Sequence, residues 1–266
     1  MKKKLIVANW KAYIASQKEV QEYITAFARD FGKSGAKNVA DVIFCPPFLY
    51  LAAFKAVKGF KGVSIGAQDV FWEAQGPYTG EVTTGMLKDA NVEYVIVGHS
   101  ERRRHLGEND EMVNKKVQEA LSAKITVIVC IGEWTKASDD EGEKKTLDFV
   151  KNQLHRALAG VSKAHLKRVV VVYEPVWAIS GNAGVADTPE NASRMIMFIR
   201  RIIARLYDGH TARGLRVIYG GSVSSQNAAM FVRQDTIDGV LVGSASTNKV
   251  EFLKIIEEAT QSVIRK

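Results

Sequence analysis

Eight short apolar runs alternate along the chain with longer stretches in which hydrophobic residues recur every three or four positions. The runs are Leu5–Ala8, Val39–Cys45, Val63–Ala67, Tyr94–Val97, Ile125–Ile131, Val169–Tyr173, Leu215–Tyr219 and Ile237–Val242. In most of these runs apolar residues follow one another directly instead of alternating with polar ones. This pattern predicts parallel strands that are buried on both faces.

Capping residues predict helices in the gaps between these runs. Ser16, followed by a glutamate three residues later, forms a capping box after the first run. Thr188 precedes Pro189, which suits the first position of a helix, and Asn248 is placed to cap the last helix. Nearly every gap therefore holds a predicted helix.

The alternation of strands and helices predicts an α/β protein, a (β/α)8 barrel that forms a single domain over residues 1–266. Eight units leave about 33 residues for each, which is the size of a βαβ repeat, and no proline- or serine-rich linker interrupts them. A doubly wound open sheet is the alternative. A dinucleotide-binding sheet of that kind has a glycine-rich turn after its first strand, whereas Asn9-Trp10-Lys11 follows here.

The composition is that of a globular protein, with 46% hydrophobic and 25% charged residues. No apolar run approaches the roughly 18 residues that cross a bilayer, and the first residues lack the apolar core of a signal peptide. Cys45 and Cys130 lie within apolar runs and make no cluster with the five histidines. We therefore expect a cytoplasmic protein with no membrane contact and no metal.

The net charge of +8 (37 basic and 29 acidic residues) favours an anionic partner. The basic residues are spread along the chain without the interleaved aromatic residues that stack on bases. A small anionic substrate is therefore expected rather than nucleic acid.

Polar residues and glycines follow the predicted strands directly, where a (β/α)8 barrel has its active site. They include Asn9, Lys11, Gln68, Asp69, His99, Ser100, Glu101, Glu133, Glu174, Gly221, Ser222, Gly243 and Ser244. The glycine-rich turns after the last two strands are typical of a phosphate-binding site, because backbone N–H groups there favour dianions. An ordinary tight turn also uses glycine and remains the alternative.

Six motifs occur in order along the chain, most of them at a strand end. They are Asn9-x-Lys11, Gly76-Pro77-Tyr78-Thr79-Gly80-Glu81, Gly98-His99-Ser100-Glu101-Arg102-Arg103, Tyr173-Glu174-Pro175-Val176-Trp177-Ala178-Ile179, Tyr219-Gly220-Gly221-Ser222-Val223 and Val242-Gly243-Ser244-Ala245-Ser246. At these spacings the chain resembles the triosephosphate isomerase family along its whole length. The resemblance implies a cofactor-free isomerase that interconverts dihydroxyacetone phosphate and glyceraldehyde 3-phosphate.

Isomerisation of a ketose phosphate needs a base, an electrophile that polarises the carbonyl group, and groups that bind the phosphate. Glu174 is the candidate base, since it lies between an apolar strand and Trp177, where dry surroundings raise the basicity of a carboxylate. His99 is the candidate electrophile. It precedes a predicted helical turn, whose positive end favours a neutral imidazole.

The resemblance also implies roles for other strand-end residues. Lys11 offers a positive charge to the substrate and its enediolate, and Asn9 donates to the same oxygen. Glu101 lies near Lys11 and either shuttles protons or organises the site. The same resemblance assigns phosphate binding to Ser180, Gly221, Ser222, Gly243 and Ser244.

The segment from Phe71 to Glu81 contains several aromatic residues, which would form a sticky patch if they were exposed. In the family this loop inserts into a second subunit. The motif formed by Gly76, Pro77, Tyr78, Thr79, Gly80 and Glu81 therefore predicts a twofold homodimer, with Thr79 near the active site of the partner.

The sequence departs from the family pattern at three places. The mobile lid, which the resemblance places at 175–186, is about two residues longer than usual between Ser180 and Asp187. Ser180 and Ser244 replace glycines, and Asp69 stands where asparagine is usual. A related isomerase that acts on a tetrose phosphate, such as erythrulose phosphate, is therefore an alternative function. A non-catalytic phosphate-binding scaffold is a more remote one.

Overall fold

Eight parallel strands close into a barrel in chain order, with the last strand hydrogen-bonded to the first. The computed structural model describes residues 3–56, 62–179 and 186–264. The strands are β1 (Lys4–Asn9), β2 (Ala40–Cys45), β3 (Val63–Ala67), β4 (Tyr94–Val97), β5 (Thr126–Ile131), β6 (Val169–Tyr173), β7 (Arg216–Tyr219) and β8 (Gly239–Val242). The predicted (β/α)8 barrel is confirmed, and each strand coincides with one apolar run, within a few residues at either end.

Helices surround the barrel in the gaps between the strands. They are α1 (Gln17–Lys33), α2 (Leu51–Ala56), α3 (Thr84–Asp89), α4 (Ser100–Leu106), α5 (Asp110–Ser122), α6 (Asp140–Ala157), α7 (Pro189–Leu206), α8 (Gly209–Gly214), α9 (Ala228–Val232) and α10 (Lys249–Ile264). The predicted caps are confirmed, since Ser16, Thr188 and Asn248 each accept from the backbone N–H three residues on. Within the part of the chain that is described, no helix has the length and apolar character needed to span a bilayer.

The strands are apolar on both faces because the barrel has two separate cores. Alternate residues such as Val7 and Val172 fill its interior, together with both cysteines. The intervening residues, such as Ile6, face outward and pack under the helices with Trp10 and Phe252. Burial raises the pKa of both free cysteine thiols.

The end of β5 approaches the end of β6 so closely that only glycine fits between them. A Cβ atom on Gly132 would lie 1.9 Å from the carbonyl oxygen of Glu174. The backbone N–H of Gly132 donates to Oε1 of the buried Gln153 at 2.8 Å. This close approach fixes the backbone that presents Glu174.

Candidate active site

The carboxyl ends of the strands form one cavity that contains most of the predicted site residues. It is lined by Lys11, Tyr13, His99, Glu174, Ile179, Gly220, Gly221, Ser222, Val223, Leu241, Gly243, Ser244 and Ala245. Asn9 and Glu101 are not part of this lining, but both contact Lys11. Ser180, with the rest of the predicted lid from 181 to 185, lies outside the described residues. The lining residue Tyr13 had no predicted role.

Glu174 and His99 meet inside the barrel, where both side chains are buried. The Oε1 atom of Glu174 lies 2.9 Å from Nε2 of His99, and Oε2 accepts the backbone N–H of Ser100 at 3.1 Å. Burial raises the pKa of Glu174, but the charge and hydrogen bonding of His99 and the Ser100 donor outweigh it, so the pKa is lowered. The expectation that dry surroundings raise its basicity is wrong for this conformation, because donors lie against the carboxylate.

A backbone donor determines which nitrogen of His99 has the proton. His99 caps α4, and its Nδ1 accepts from the backbone N–H of Glu101 at 3.2 Å. A backbone N–H can only donate, so in the neutral imidazole Nδ1 has no proton and Nε2, which faces Glu174, has it. Burial lowers the pKa of His99, but the negative charge of Glu174 outweighs that effect and raises it. Separating the two side chains removes the charge that raises the pKa.

Lys11 is held in a strained left-handed conformation by its neighbours. Its φ angle is 48°, which is rare for a residue with a side chain. Its backbone N–H donates to Oδ1 of Asn9 at 3.1 Å, and its ammonium lies 2.5 Å from Glu101. Gln68 donates to the carbonyl oxygens of Lys11 and Cys45 at 2.8 and 2.9 Å. Sequence reasoning found Gln68 as a polar strand end but missed this role.

The two glycine-rich turns face the same cavity, although one backbone donor there is already used. A Cβ atom on Gly221 would lie 2.1 Å from the hydroxyl oxygen of Tyr219, so packing alone requires glycine. The N–H of Ser222 donates to the carbonyl oxygen of Ala178 at 3.1 Å. Ser244 opens a short 3-10 helix, in which the first N–H groups have no intrahelical acceptor.

The 3-10 turn Val176–Ala178, where the predicted lid begins, is tied to the end of β5 through Glu133. The Oε1 atom of Glu133 accepts from the Tyr173 hydroxyl at 2.8 Å and from the indole N–H of Trp177 at 2.7 Å. The ammonium of Lys136 lies 5.0 Å from the centre of the Trp177 ring. This role of Glu133 was not predicted either; its position directly after a strand was the only signal in the sequence.

A buried group of charges connects the end of β3 to α4 and α5. Lys116 contacts both carboxylate oxygens of Asp69, at 2.7 and 2.8 Å, and also contacts Glu108. Arg102 lies 2.8 Å from Asp69 and 2.5 Å from Glu108. Burial raises the pKa of Asp69 to about 6, despite the two cations beside it. Through Arg102, Asp69 thus stabilises the position of α4, the helix that His99 caps.

Among the described residues, no group of histidine, cysteine and carboxylate side chains is arranged to hold a metal ion. The chain forms a (β/α)8 barrel, and the Glu174 carboxylate, the His99 imidazole and the Lys11 ammonium lie in one cavity at the carboxyl ends of its strands. The family model described as triosephosphate isomerase matches residues 4–259. The chain therefore belongs to the triosephosphate isomerase family.

Several bacterial proteins named triosephosphate isomerase are similar to the chain over almost its full length. One from Dictyoglomus thermophilum is 38% identical over 97% of this chain and 100% of its own. One from Caldanaerobacter subterraneus subsp. tengcongensis is 42% identical over 96% of this chain and 99% of its own. A third, from Moorella thermoacetica, is 41% identical over 96% and 98%.

Replacing Asp69 by asparagine tests the buried group of charges. The carboxyl pKa is about 6 in the folded protein and about 3.9 in an unfolded chain, so the folded state binds more protons between these values. The contribution of Asp69 to stability therefore grows as pH falls through 6 towards 4. On going from pH 8 to pH 4, we expect the unfolding free energy of the wild type to gain about 2 to 3 kcal/mol relative to Asp69→Asn.

Urea unfolding of both proteins at each pH, at one protein concentration, measures this difference. The other carboxylates are common to both chains, so their titration cancels. A difference that is constant with pH, or that favours asparagine at low pH, would contradict the assignment.

Proposed function

We propose that the protein interconverts dihydroxyacetone phosphate and glyceraldehyde 3-phosphate through an enediolate. The supporting observation is that Glu174, His99 and Lys11 face one cavity at the carboxyl end of the barrel. A base, a hydrogen-bond donor and a fixed cation within one small cavity are what proton transfer between adjacent carbons requires.

Glu174 takes a proton from the carbon beside the carbonyl group and returns it to the neighbouring carbon. Its lowered pKa keeps the carboxylate ionised and ready to accept a proton near neutral pH. To reach the substrate, the carboxylate leaves the Ser100 N–H and His99 Nε2. Losing these donors in a dry cavity raises its basicity at the moment of proton transfer.

As negative charge develops on the carbonyl oxygen, His99 gives it the Nε2 proton and takes a proton from the neighbouring hydroxyl group, whose oxygen becomes the new carbonyl oxygen. The Glu101 N–H keeps Nδ1 unprotonated, so the donor is a neutral imidazole once Glu174 has moved. The Lys11 ammonium stabilises the same charge. Asn9 accepts from Lys11 through Oδ1, which leaves its Nδ2 group to donate to the oxygen.

Glu101 acts as a positioning residue rather than a proton shuttle. Its carboxylate holds the Lys11 ammonium at 2.5 Å and is not part of the cavity lining. Its backbone N–H fixes the His99 tautomer at the same time. Both contacts organise groups that face the substrate.

The substrate phosphate binds at the turns formed by Gly221 and Ser222 and by Gly243 and Ser244, with Ser180 of the lid as a further donor. Ser244 offers a hydroxyl and an N–H at the start of its 3-10 helix. The Ser222 N–H donates to Ala178 before the phosphate arrives. Phosphate binding therefore exchanges that contact for one with a phosphate oxygen.

Steady-state kinetics with triose and tetrose phosphates test the substrate. We expect kcat/KM for glyceraldehyde 3-phosphate to exceed that for erythrose 4-phosphate by about 10- to 100-fold, because a pocket that only tolerates an extra CH(OH) group discriminates weakly. Preference for the tetrose by several orders of magnitude would establish the alternative isomerase. If the folded protein turned over neither substrate, the non-catalytic phosphate-binding scaffold would be the remaining interpretation.

Shortening the base tests its role separately. Glu174→Asp withdraws the carboxylate by one methylene group, and a misplacement of about 1 Å costs on the order of 10²-fold in kcat with little change in KM. The matched control is Glu141→Asp, on the exposed surface of α6, which should keep the wild-type kcat. If kcat stayed unchanged in Glu174→Asp, the base would have to be another residue.

We also propose a twofold homodimer through the loop formed by residues 76–81. Residues 73–81 are exposed, and the Phe71 ring lies 4.3 Å from Trp72 and 4.5 Å from Tyr78, so the loop is ordered before it meets a partner. Leu49, 85% exposed, and Tyr13, 59% exposed, follow the neighbouring strands β2 and β1. Exposed apolar side chains that follow neighbouring strands of one barrel rim are typical of an interface.

Sedimentation of Tyr78→Asp combined with Thr79→Arg tests this association. Burying two new charges at the contact should give monomers, and their activity should be very low if Thr79 supports the active site of the partner. Phe149→Asp is the matched control, since Phe149 is 38% exposed against 37% for Tyr78 and lies on α6. Fully active monomers would remove the dimer from the mechanism.

The cytoplasm is the location that we propose for this enzyme. Cys45 and Cys130 are both free and buried, which suits a reducing compartment. Fractionation with an antibody to the protein tests this location.

A further inference from the structure

A second cavity, of about 920 Å³, lies at the opposite end of the barrel from the proposed active site. We name it the basal cavity; it is lined by Leu5, Tyr94, Thr126, Lys163, Ala164, Leu166, Lys167, Val169, Val170, His210, Thr211, Gly214, Leu215 and Arg216. Tyr94, Thr126, Val169 and Arg216 are the first residues of their strands. The basal cavity therefore opens at the amino ends of the strands.

The floor of the basal cavity is apolar. Leu5 and Val170 belong to the core inside the barrel, and Tyr94 packs against that core. Leu166 and Leu215 add further apolar surface to the wall. Ligand pockets of proteins typically have about 300 to 1,000 Å³ and combine an apolar lining with a few polar groups.

The rim of the basal cavity is basic and contains no carboxylate among the described lining residues. Its basic residues are Lys163, Lys167, His210 and Arg216. Lys163 is paired with Asp208 at 2.5 Å, and Nη2 of Arg216 with Asp41 at 2.9 Å. Lys167, by contrast, forms no ion pair with any residue in the described ranges.

Arg216 also has a donor without a partner. Its Nη1 atom is buried and has no acceptor among the residues that the structure describes. A buried donor without an acceptor costs about 1 to 3 kcal/mol. An anionic oxygen supplied by a ligand at this rim would satisfy that donor once the guanidinium turns towards the cavity.

We propose that the basal cavity binds a small organic anion with an apolar body. Its carboxylate, sulfonate or phosphate group is attracted by Lys167 and accepts from Nη1 of Arg216 once that guanidinium has turned towards the cavity. Its apolar body covers Leu5, Tyr94 and Val170. A bare inorganic anion leaves that floor uncovered, and a neutral molecule leaves Lys167 without a counter-charge. This site is independent of the proposed isomerase activity.

Isothermal titration calorimetry with naphthalene-2-sulfonate tests the proposal, with naphthalene-2-sulfonamide as the neutral analogue of the same shape. Both titrations are run with the triose phosphates present at saturating concentration, which occupy the other end of the barrel. We expect one sulfonate per chain, and an affinity for the sulfonamide that is at least about fivefold lower, the effect of one charge pair. Equal affinities, or no sulfonate binding at millimolar concentration, would overturn the proposal.

Three variants locate the bound sulfonate. Lys167→Glu reverses an unpaired rim charge and should weaken sulfonate binding about five- to tenfold. Ala164→Trp, from an exposed position on the rim, should fill the cavity mouth and abolish binding. Lys254→Glu, which makes the same charge change on the exposed face of α10, should leave the affinity unaltered.

Isomerase kcat/KM should stay at the wild-type value in all three variants, since none of these residues is near the active-site cavity. Sulfonate binding that persists in both Lys167→Glu and Ala164→Trp would show that it binds elsewhere. Displacement of the sulfonate by triose phosphates would place it at the other end of the barrel. Either result overturns the assignment to the basal cavity.

Discussion

Closure of eight parallel strands into one ring is the constraint on which the rest of the molecule depends. The ring is completed where Leu5 of β1 pairs with Gly239 of β8. Because all strands run the same way, every residue that follows a strand lies at one rim. Lys11, His99 and Glu174 come from distant parts of the chain, and they meet because each stands just beyond β1, β4 or β6. The apolar residues before them are committed to two cores, which leaves the rim for chemistry.

A position at the rim does not by itself orient a side chain. The orientation comes from buried polar contacts below the site. Gln68 stabilises the strained backbone of Lys11, and Glu133 holds Trp177 at the base of the lid. The charges around Asp69 hold the helix that presents His99. Each contact satisfies polar groups that would be costly to bury alone. The active-site geometry thus rests on residues that never face the cavity.

Much of this architecture could be predicted from the sequence because the relevant signals are local. Strands with two buried faces have continuous apolar runs, and caps such as Ser16 act on a donor three residues away. The direction of the Glu174 pKa could not be predicted, since it depends on contact with a histidine 75 positions earlier in the chain. Gln68 and Glu133 were visible as polar strand ends, but their partners are set by packing. The basal cavity depends on how the 3-10 helix Lys163–Arg168 lies against α8, which no local pattern encodes.

The contact between Ser222 and Ala178 gives the proposed mechanism a physical link between substrate binding and lid movement. The Ser222 N–H cannot serve both the Ala178 carbonyl and a phosphate oxygen with good geometry. A phosphate that takes this donor releases the turn that begins the lid, while Trp177 remains anchored to Glu133. In the proposed mechanism, binding energy from the phosphate, which does not react, would drive closure of the predicted lid over the groups that do. A free aldose has no phosphate oxygen to accept from the Ser222 N–H. Its binding therefore leaves the hydrogen bond between Ser222 and Ala178 in place, although it faces the same base and imidazole.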